Sequence, residues 1–201
     1  MPIHVIGITG PSGSGKSMFS QLLQRYHIPC VDADSLYHSM LIPPSPCLDR
    51  IAQVFGNEVL CADGSLNRNV LSSIVFQKPC ELQKLNQTVL PMVIDQINNI
   101  IADAEARGEL YIAVDAPTLI ESGFYRQCQT KIVIIADDQI RIQRIMQRDG
   151  ISEQKAAERI SAQQPLSFYT SVADHVIENN ASSEEFFRNA ENILKIILQP
   201  E

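Results

Sequence analysis

Apolar residues in this chain fall into short dense runs, separated by longer stretches in which they recur at helical spacing. Residues 3–8 form an apolar run that stops at Thr9-Gly10 and reads as a buried strand. Residues 18–26 repeat apolar positions at helical spacing, and residues 28–31 form a second short strand that ends at Asp32-Ala33-Asp34. Residues 35–108 are mainly helical in pattern, with Pro43, Pro44 and Pro46 interrupting early and a turn at Asp63-Gly64. Pro91 falls inside a long helical stretch over residues 81–107 and is expected to break or kink it, while Gly108 fits a helix stop. Strands follow at residues 110–114, 131–136 and 175–177. Residues 140–148 and 153–163 read as two helices separated by Gly150, and residues 184–198 as an amphipathic closing helix.

Continuously apolar strands alternating with helices predict an α/β fold whose parallel sheet is covered on both faces. Ligands of such sheets sit beyond the carboxyl ends of the strands. Thr9-Gly10, Asp32-Ala33-Asp34 and Asp115 all close a strand, so three separate parts of the sequence converge on one rim.

The first of these carries the most specific chemistry. Gly10-Pro11-Ser12-Gly13-Ser14-Gly15-Lys16-Ser17 matches G-x-x-x-x-G-K-[ST], with a strand before it and a helix after it. Glycines at those positions let the backbone fold round an anion with its amides pointing inward, and the helix starting near Lys16 adds its positive end. Lys16 would reach the β- and γ-phosphates of a nucleoside triphosphate, and the Ser17 hydroxyl would ligate Mg²⁺. A guanine-reading Asn-Lys-x-Asp does not occur in the sequence, which points away from a GTPase.

The rim acids fit the same chemistry. Asp32 and Asp34 lie two apart at a strand end, where their side chains can face the same way. One could hold Mg²⁺-bound water while the other approaches an acceptor hydroxyl, as a phosphoryl transferase requires. A plainer role for either is to cap the helix expected near Ser35. Asp115 ends an apolar strand as a metal-associated acid does, or serves as a turn residue before Pro117. Glu121, by position alone, is a solvated side chain. Arg141, Arg144, Arg148, Lys155 and Arg159 concentrate positive charge within nineteen residues. The first three share a helix face, which suits a cationic lid over a triphosphate or a solvated face paired with Asp149, Glu153 and Glu158; for Arg148 the functional reading is preferred.

Composition narrows the partners. The formal net charge is −7 and the sequence pI about 5.1, so bulk charge gives no attraction to nucleic acid. The five cysteines are scattered without a CxxC pair, as expected for reduced thiols in a cytoplasmic protein rather than a zinc site or disulfide framework. The N-terminus lacks a basic start followed by an apolar stretch, and no apolar run reaches the roughly 18 to 20 residues of a membrane span, so neither secretion nor membrane insertion is expected.

Taken together, the motifs resemble the dephospho-coenzyme A kinase family along nearly the whole chain. The residues are Ile8-Thr9-Gly10 with Gly13-Ser14-Gly15-Lys16-Ser17; Val31-Asp32-Ala33-Asp34; Phe55-Gly56; Asp63-Gly64-Ser65-Leu66-Asn67-Arg68; Leu85-Asn86; Val114-Asp115-Ala116-Pro117 with Leu119 and Glu121; Met146-Gln147-Arg148-Asp149; Ala162-Gln163; and Ala173-Asp174 with Val176-Ile177-Glu178-Asn179. The resemblance implies a P-loop nucleotide-kinase-like three-layer fold with a five-stranded parallel sheet, a helical acceptor-binding insertion and a lid. In a single domain over residues 1–201, the core takes about 1–34, 109–140 and 172–201, the insertion about 35–108 and the lid about 141–171. It implies ATP-dependent phosphorylation of the ribose 3′-hydroxyl of dephospho-coenzyme A with Mg²⁺, in a cytoplasmic monomer or weak homo-oligomer. It further implies Asp34 as catalytic base, with Lys16 and Arg148 also catalytic. The nucleotide would be bound by Gly10, Pro11, Ser12, Gly13, Ser14, Gly15, Lys16, Ser17, Arg144 and Arg148, with Asn179 near adenine. Ser17, Asp32 and Asp115 would serve the metal.

The chain departs from the family pattern at Leu90-Pro91 for the usual His-Pro, at Pro117-Thr118-Leu119-Ile120-Glu121 for Pro-Leu-Leu-Phe-Glu, at Leu166 in a stretch that often holds a basic residue, and at Ala181 for a common glycine. None of these touches the phosphate machinery. The departures in the acceptor region leave open a kinase of nucleosides or nucleotides, and a nucleotide-binding regulatory protein without catalysis is the reading from a different class.

Overall fold

A computed structural model describes residues 2–199; residue 1 and residues 200–201, the outermost limits expected for the core, lie outside the described residues. The chain divides into two compact units, one made of the residues up to Val31 together with those from Ala104 onwards, the other of Asp32–Asp103.

The first unit is built on a five-stranded parallel sheet in the order β2-β3-β1-β4-β5. Its strands are β1 (His4–Thr9), β2 (Cys30–Asp32), β3 (Tyr111–Asp115), β4 (Thr130–Ile135) and β5 (His175–Glu178). The central strand β1 pairs with β3 in the register Ile8↔Asp115 and with β4 in the register Thr9↔Val133. The strands lie where the apolar runs predicted them, with ends displaced by one or two residues.

Alternation along β1 sorts its side chains to two faces. Ile6 and Ile8 pack with Phe19, Leu22 and Leu23 of α1 (Lys16–Arg25) and with Phe186, Ala190 and Leu194 of the closing helix Ser183–Ile197 in one fully buried cluster. Gly7 faces the other way, where a Cβ would stand 2.7 Å from Cys128 Sγ and 3.0 Å from Leu119, so only glycine lets β1 settle against that layer. All five cysteines are free thiols: Cys47 and Cys128 are buried, Cys30 is half-buried, and Cys61 and Cys80 are exposed. Burial pushes the Cys128 thiol up to about 12.

The second unit is helical. It contains α2 (Ala33–Ser39), α3 (Pro46–Phe55), α4 (Arg68–Val75) and most of α5 (Pro79–Ala106). Ser45 caps α3 by accepting from the Cys47 and Leu48 amides, with Pro46 in the first turn where its missing N–H costs nothing. Asn67 caps α4 through the Val70 amide. Cys47, Leu48, Ile51, Phe55, Leu71, Val75, Val89 and Val93 are buried as its core.

Of the two effects expected at Pro91, the break does not occur. α5 runs unbroken through Pro91. Val89, Val93 and Ile97 recur at four-residue intervals on the buried face, whereas Pro91 and Gln87 are exposed. The carbonyl that loses its partner to proline is therefore on the side where solvent can bond it, and the helix persists. The stop at Gly108 is as read: its φ is +82°, and the amides of Gly108 and Glu109 bond back to the carbonyls of Glu105 and Ala104.

After β4 come α6 (Asp138–Asp149), α7 (Glu153–Ser161) and α8 (Leu166–Thr170), and after β5 the closing helix, α9 (Ser183–Ile197). Gly150, at φ +64°, ends α6 as a left-handed cap and lets the chain turn into α7. Among the described residues no helix is long and apolar enough to cross a membrane.

Candidate active site

The loop between β1 and α1 is a tight turn that only its glycines permit. Gly10, Gly13 and Gly15 have φ of +147°, +80° and +94°. A Cβ at Gly10 would sit 2.1 Å from the Ile134 carbonyl oxygen, one at Gly13 would sit 2.8 Å from the Arg141 carbonyl oxygen, and one at Gly15 would meet Asn179 Nδ2 at 2.2 Å. The loop is thus pressed against β4, α6 and the end of β5, and its shape is set by these approaches. Ser14 donates its backbone N–H to the Pro11 carbonyl at 3.2 Å, and Lys16 Nζ donates to the Gly10 carbonyl at 2.8 Å, closing the turn on itself.

Beneath the loop lie the side chains of Asn179 and Arg144, both expected to serve the nucleotide. Asn179 is 1% exposed; its Nδ2 donates to the Ser14 carbonyl at 2.8 Å, and its Oδ1 accepts from Arg144 Nη2 at 3.2 Å. Arg144 also donates to the carbonyls of Gly13 and Ser14 at 3.3 Å each and to the Asn179 carbonyl at 3.0 Å. Desolvation lowers the Arg144 pKa from its ordinary value. Asn179, expected near adenine, is thus buried and bonded to the loop backbone at Ser14. Its counterpart Arg144 acts from below in the same way.

The remaining predicted arginine differs. Arg148 is exposed, and its guanidinium makes a forked pair with Asp149, Nε to Oδ1 at 2.8 Å and Nη2 to Oδ2 at 3.0 Å, while Nη2 stands 3.4 Å from Ser12 Oγ. Arg159 also donates to Asp149 Oδ2. The hydrogen-bonded Arg148 guanidinium is the main cause that holds the Asp149 carboxyl down to about 2, with Arg159 adding to it.

Asp115 ends β3 beside the start of the loop, in register with Ile8. Its Oδ2 accepts from Ser20 Oγ of α1 at 3.4 Å, and its Oδ1 is buried. Ser17 stands in the first turn of α1. Asp32 and Asp34 open the second unit. Asp32 caps α2, with Oδ1 accepting from the amides of Asp34 and Ser35 at 3.0 Å each and Oδ2 from Ser35 Oγ at 2.8 Å. The capping role weighed for this pair is therefore filled by Asp32, and the helix begins at Ala33 rather than near Ser35. Asp34 is exposed in the first turn of α2. Glu121 is exposed, as its position suggested.

Ser14 Oγ is buried with no hydrogen-bond partner among the described residues, within the glycine-built turn. Ser17 and Asp115 supply hard oxygen donors beside that turn. Among the described residues no group of three or more His, Cys, Asp or Glu side chains could hold a metal by itself. The hard oxygens of Ser17 and Asp115 are the donor type that Mg²⁺ takes, alongside waters and substrate phosphates.

Residues 4–185 match the family described as CoaE, Dephospho-CoA kinase. The chain belongs to the dephospho-CoA kinase family. A dephospho-CoA kinase of Shouchella clausii is 34% identical over 189 residues, covering 94% of this chain and 96% of that one. A crystal structure of TT1252 from Thermus thermophilus superposes with a TM-score of 0.85 at 27% identity and full coverage of both chains. A dephospho-CoA kinase from Campylobacter jejuni, at 23% identity, shares the fold with a TM-score of 0.70 over 96% of each chain. The dephospho-CoA kinase family uses ATP as a substrate, and the cradle of residues 10–17 is the part of this chain suited to its phosphates.

Two contributors escaped sequence reasoning. Arg141 was grouped with the lid arginines, yet it is 3% exposed and bonds the loop from behind. Gln163 drew notice only as part of the Ala162-Gln163 resemblance. The clue for Arg141 was its position one turn into α6, where a side chain on the face of Ile145 turns toward the sheet.

Proposed function

We infer that this chain catalyses the ATP-dependent phosphorylation of the ribose 3′-hydroxyl of dephospho-coenzyme A, the last step of coenzyme A synthesis. The observation that carries the reading is the glycine-built turn of residues 10–17, closed by Lys16, in a chain that matches the dephospho-CoA kinase family over residues 4–185. In the reaction the 3′-oxygen forms a bond to the γ-phosphorus, the bond from that phosphorus to the β–γ bridging oxygen breaks, and ADP departs. Asp34 is the proposed base: its carboxylate orients the acceptor hydroxyl and takes up its proton. Lys16 gives up the Gly10 carbonyl for the phosphates and supports charge on the transferring group, with Arg148 aiding from the rim. Gly10, Pro11, Ser12, Gly13, Ser14 and Gly15 shape the cradle, and Arg144 and Asn179 serve the nucleotide by holding that shape.

Mg²⁺ would be held by Ser17, with Asp115 and Asp32 acting on its bound water, and when bound it offsets the charge of the β- and γ-phosphates. The acidic net charge supports a protein that acts on small molecules rather than nucleic acid, and we infer a cytoplasmic location away from the membrane and a monomer or weak homo-oligomer. Residues 35–108 would form the acceptor-binding insertion and 141–171 the lid, within one kinase domain.

The test is product analysis by mass spectrometry with ATP, magnesium and either dephospho-coenzyme A or a panel of nucleosides and nucleotides, for the intact protein and for Asp34→Asn. A 3′-phosphorylated product from dephospho-coenzyme A is expected, with kcat falling by about 100-fold or more in Asp34→Asn while ATP binding stays near normal. Turnover of a nucleoside but not of dephospho-coenzyme A would overturn the substrate, and an unchanged kcat would remove Asp34 from the mechanism.

A further inference from the structure

Ser12, at the tip of the phosphate loop, is gripped on both sides. Its backbone N–H donates to Gln163 Oε1 at 3.2 Å, and its carbonyl accepts from Arg141 Nε at 2.9 Å. Arg141 Nη2 also donates to the same Gln163 oxygen, and Arg141 Nη1 donates to Asp138 Oδ1 at 2.7 Å. One glutamine oxygen and one buried guanidinium therefore fix two successive peptide planes, the one before Ser12 and the one after it. A trans peptide points its N–H opposite to its carbonyl. Pinning the Ser12 carbonyl on Arg141 accordingly turns the Gly13 N–H away from α6. The close approach of Gly13 to the Arg141 backbone keeps the tip from backing off.

Arg141 belongs to the body of α6, but Gln163 does not. It lies just past the end of α7, held there by its own amide on the Ile160 carbonyl at 3.1 Å. The tip of the loop thus takes half of its orientation from the segment between α7 and α8, about 150 residues further along the chain.

We propose that Gln163 is a positioning residue for ATP: its side-chain oxygen, shared between the Ser12 amide and Arg141, sets the orientation of the tip of the phosphate loop and so ties nucleotide affinity to the α7–α8 segment. The inference rests on residues 10–17 receiving the phosphates of ATP. What it requires at position 163 is an acceptor of the right reach, since both bonds to Ser12 and Arg141 end on the oxygen. Glutamate supplies that acceptor at the same length and meets Arg141 with a charge-assisted bond. Alanine supplies none.

The experiment compares the full-length protein with Gln163→Ala, Gln163→Glu and Lys16→Ala by titration with a fluorescent ATP analogue, steady-state kinetics in ATP, and thermal unfolding without nucleotide. Losing the shared acceptor in Gln163→Ala is expected to raise the Kd and KM for ATP by about tenfold with kcat held within about twofold, as for a hydrogen bond that organises binding rather than chemistry. Gln163→Glu is expected to restore most of that loss. Unchanged ATP affinity in Gln163→Ala overturns the proposal. So does a Gln163→Glu protein as weak as the alanine variant, which would mean that the amide nitrogen, not the oxygen, serves the nucleotide. A drop in Tm that accounts for the affinity loss in both variants would make the residue merely structural. Lys16→Ala separates the two levels: if it binds ATP normally, the phosphate loop is not the nucleotide site, and the reading of Gln163 falls with it.

Discussion

At its N-terminal end α6 presents Arg141, 3% exposed and bonded to Ser12, Asp138 and Gln163; at its C-terminal end it presents Arg148, whose side chain is 58% exposed and pairs with Asp149. The two residues share one helix face and one chemistry. Around Arg141 and Arg144 the loop is fixed by close backbone approaches at Gly10 and Gly13, and the cations bond loop carbonyls together with the Asp138, Gln163 and Asn179 side chains. Around Arg148 the bonds lie in solvent, where an ion pair adds little to stability and is easily exchanged. The floor of the site is therefore rigid and committed, and its rim can trade partners. That is the division a phosphoryl-transfer site needs: a shape prepared in advance below, and positive charge able to follow the phosphate above.

The comparison breaks most directly at Gly10. Gly10→Ala would force a Cβ to within 2.1 Å of the Ile134 carbonyl oxygen at a φ of +147°. We expect a loss of at least about 3 kcal/mol in urea unfolding, or no folded protein, since only backbone movement could relieve it. A loss below about 1 kcal/mol would show that the floor yields as readily as the rim. At the rim the effect moves from stability to rate. Arg148→Ala should lower kcat by about 10- to 100-fold while Tm moves by no more than about 2 °C. A large fall in Tm with kcat preserved would reverse the two assignments.

The smallest effect is in acid. The Asp149 carboxyl, held at about 2 chiefly by its hydrogen bonds from Arg148, gives up its proton more readily in the folded chain than in the unfolded one, where the ordinary value is 3.8. Its contribution is complete above about pH 4 and fades as the pH falls through about 2. Asp149→Asn should flatten that part of the acid-unfolding curve and leave stability at neutral pH almost unmoved, because the pair is exposed. A neutral-pH destabilisation comparable to that of Gly10→Ala would place Asp149 in the floor.

The phosphate loop was legible because its chemistry demands fixed residues at fixed spacing between a strand and a helix, all within one local stretch. Asp115 was legible for a similar reason, as the acid that closes an apolar strand. The contacts of Asn179 and Arg144 with the loop were not, because they reach 165 and 131 residues back along the chain, and nothing local marks a polar side chain that will be buried. Asp32 and Asp34 could be read as a pair from their spacing and were apportioned only through the family resemblance; that Asp32 caps α2 depends on where its oxygens point, which spacing does not show. The unbroken course of α5 through Pro91 was not legible either, because a proline's effect on a helix depends on whether the carbonyl it orphans faces solvent, and that requires knowing which face is buried.

The distribution of thiols gives the molecule a built-in asymmetry toward electrophiles. Cys61 and Cys80, the two exposed sulfurs, both lie in the Asp32–Asp103 unit, whereas Cys128 is sealed behind Gly7 with its proton held up to about 12. An alkylating dye or spin label will therefore decorate the helical unit first, with the half-buried Cys30 of β2 next and Cys128 last, so a reporter can be carried on the helical unit without rewriting the sequence.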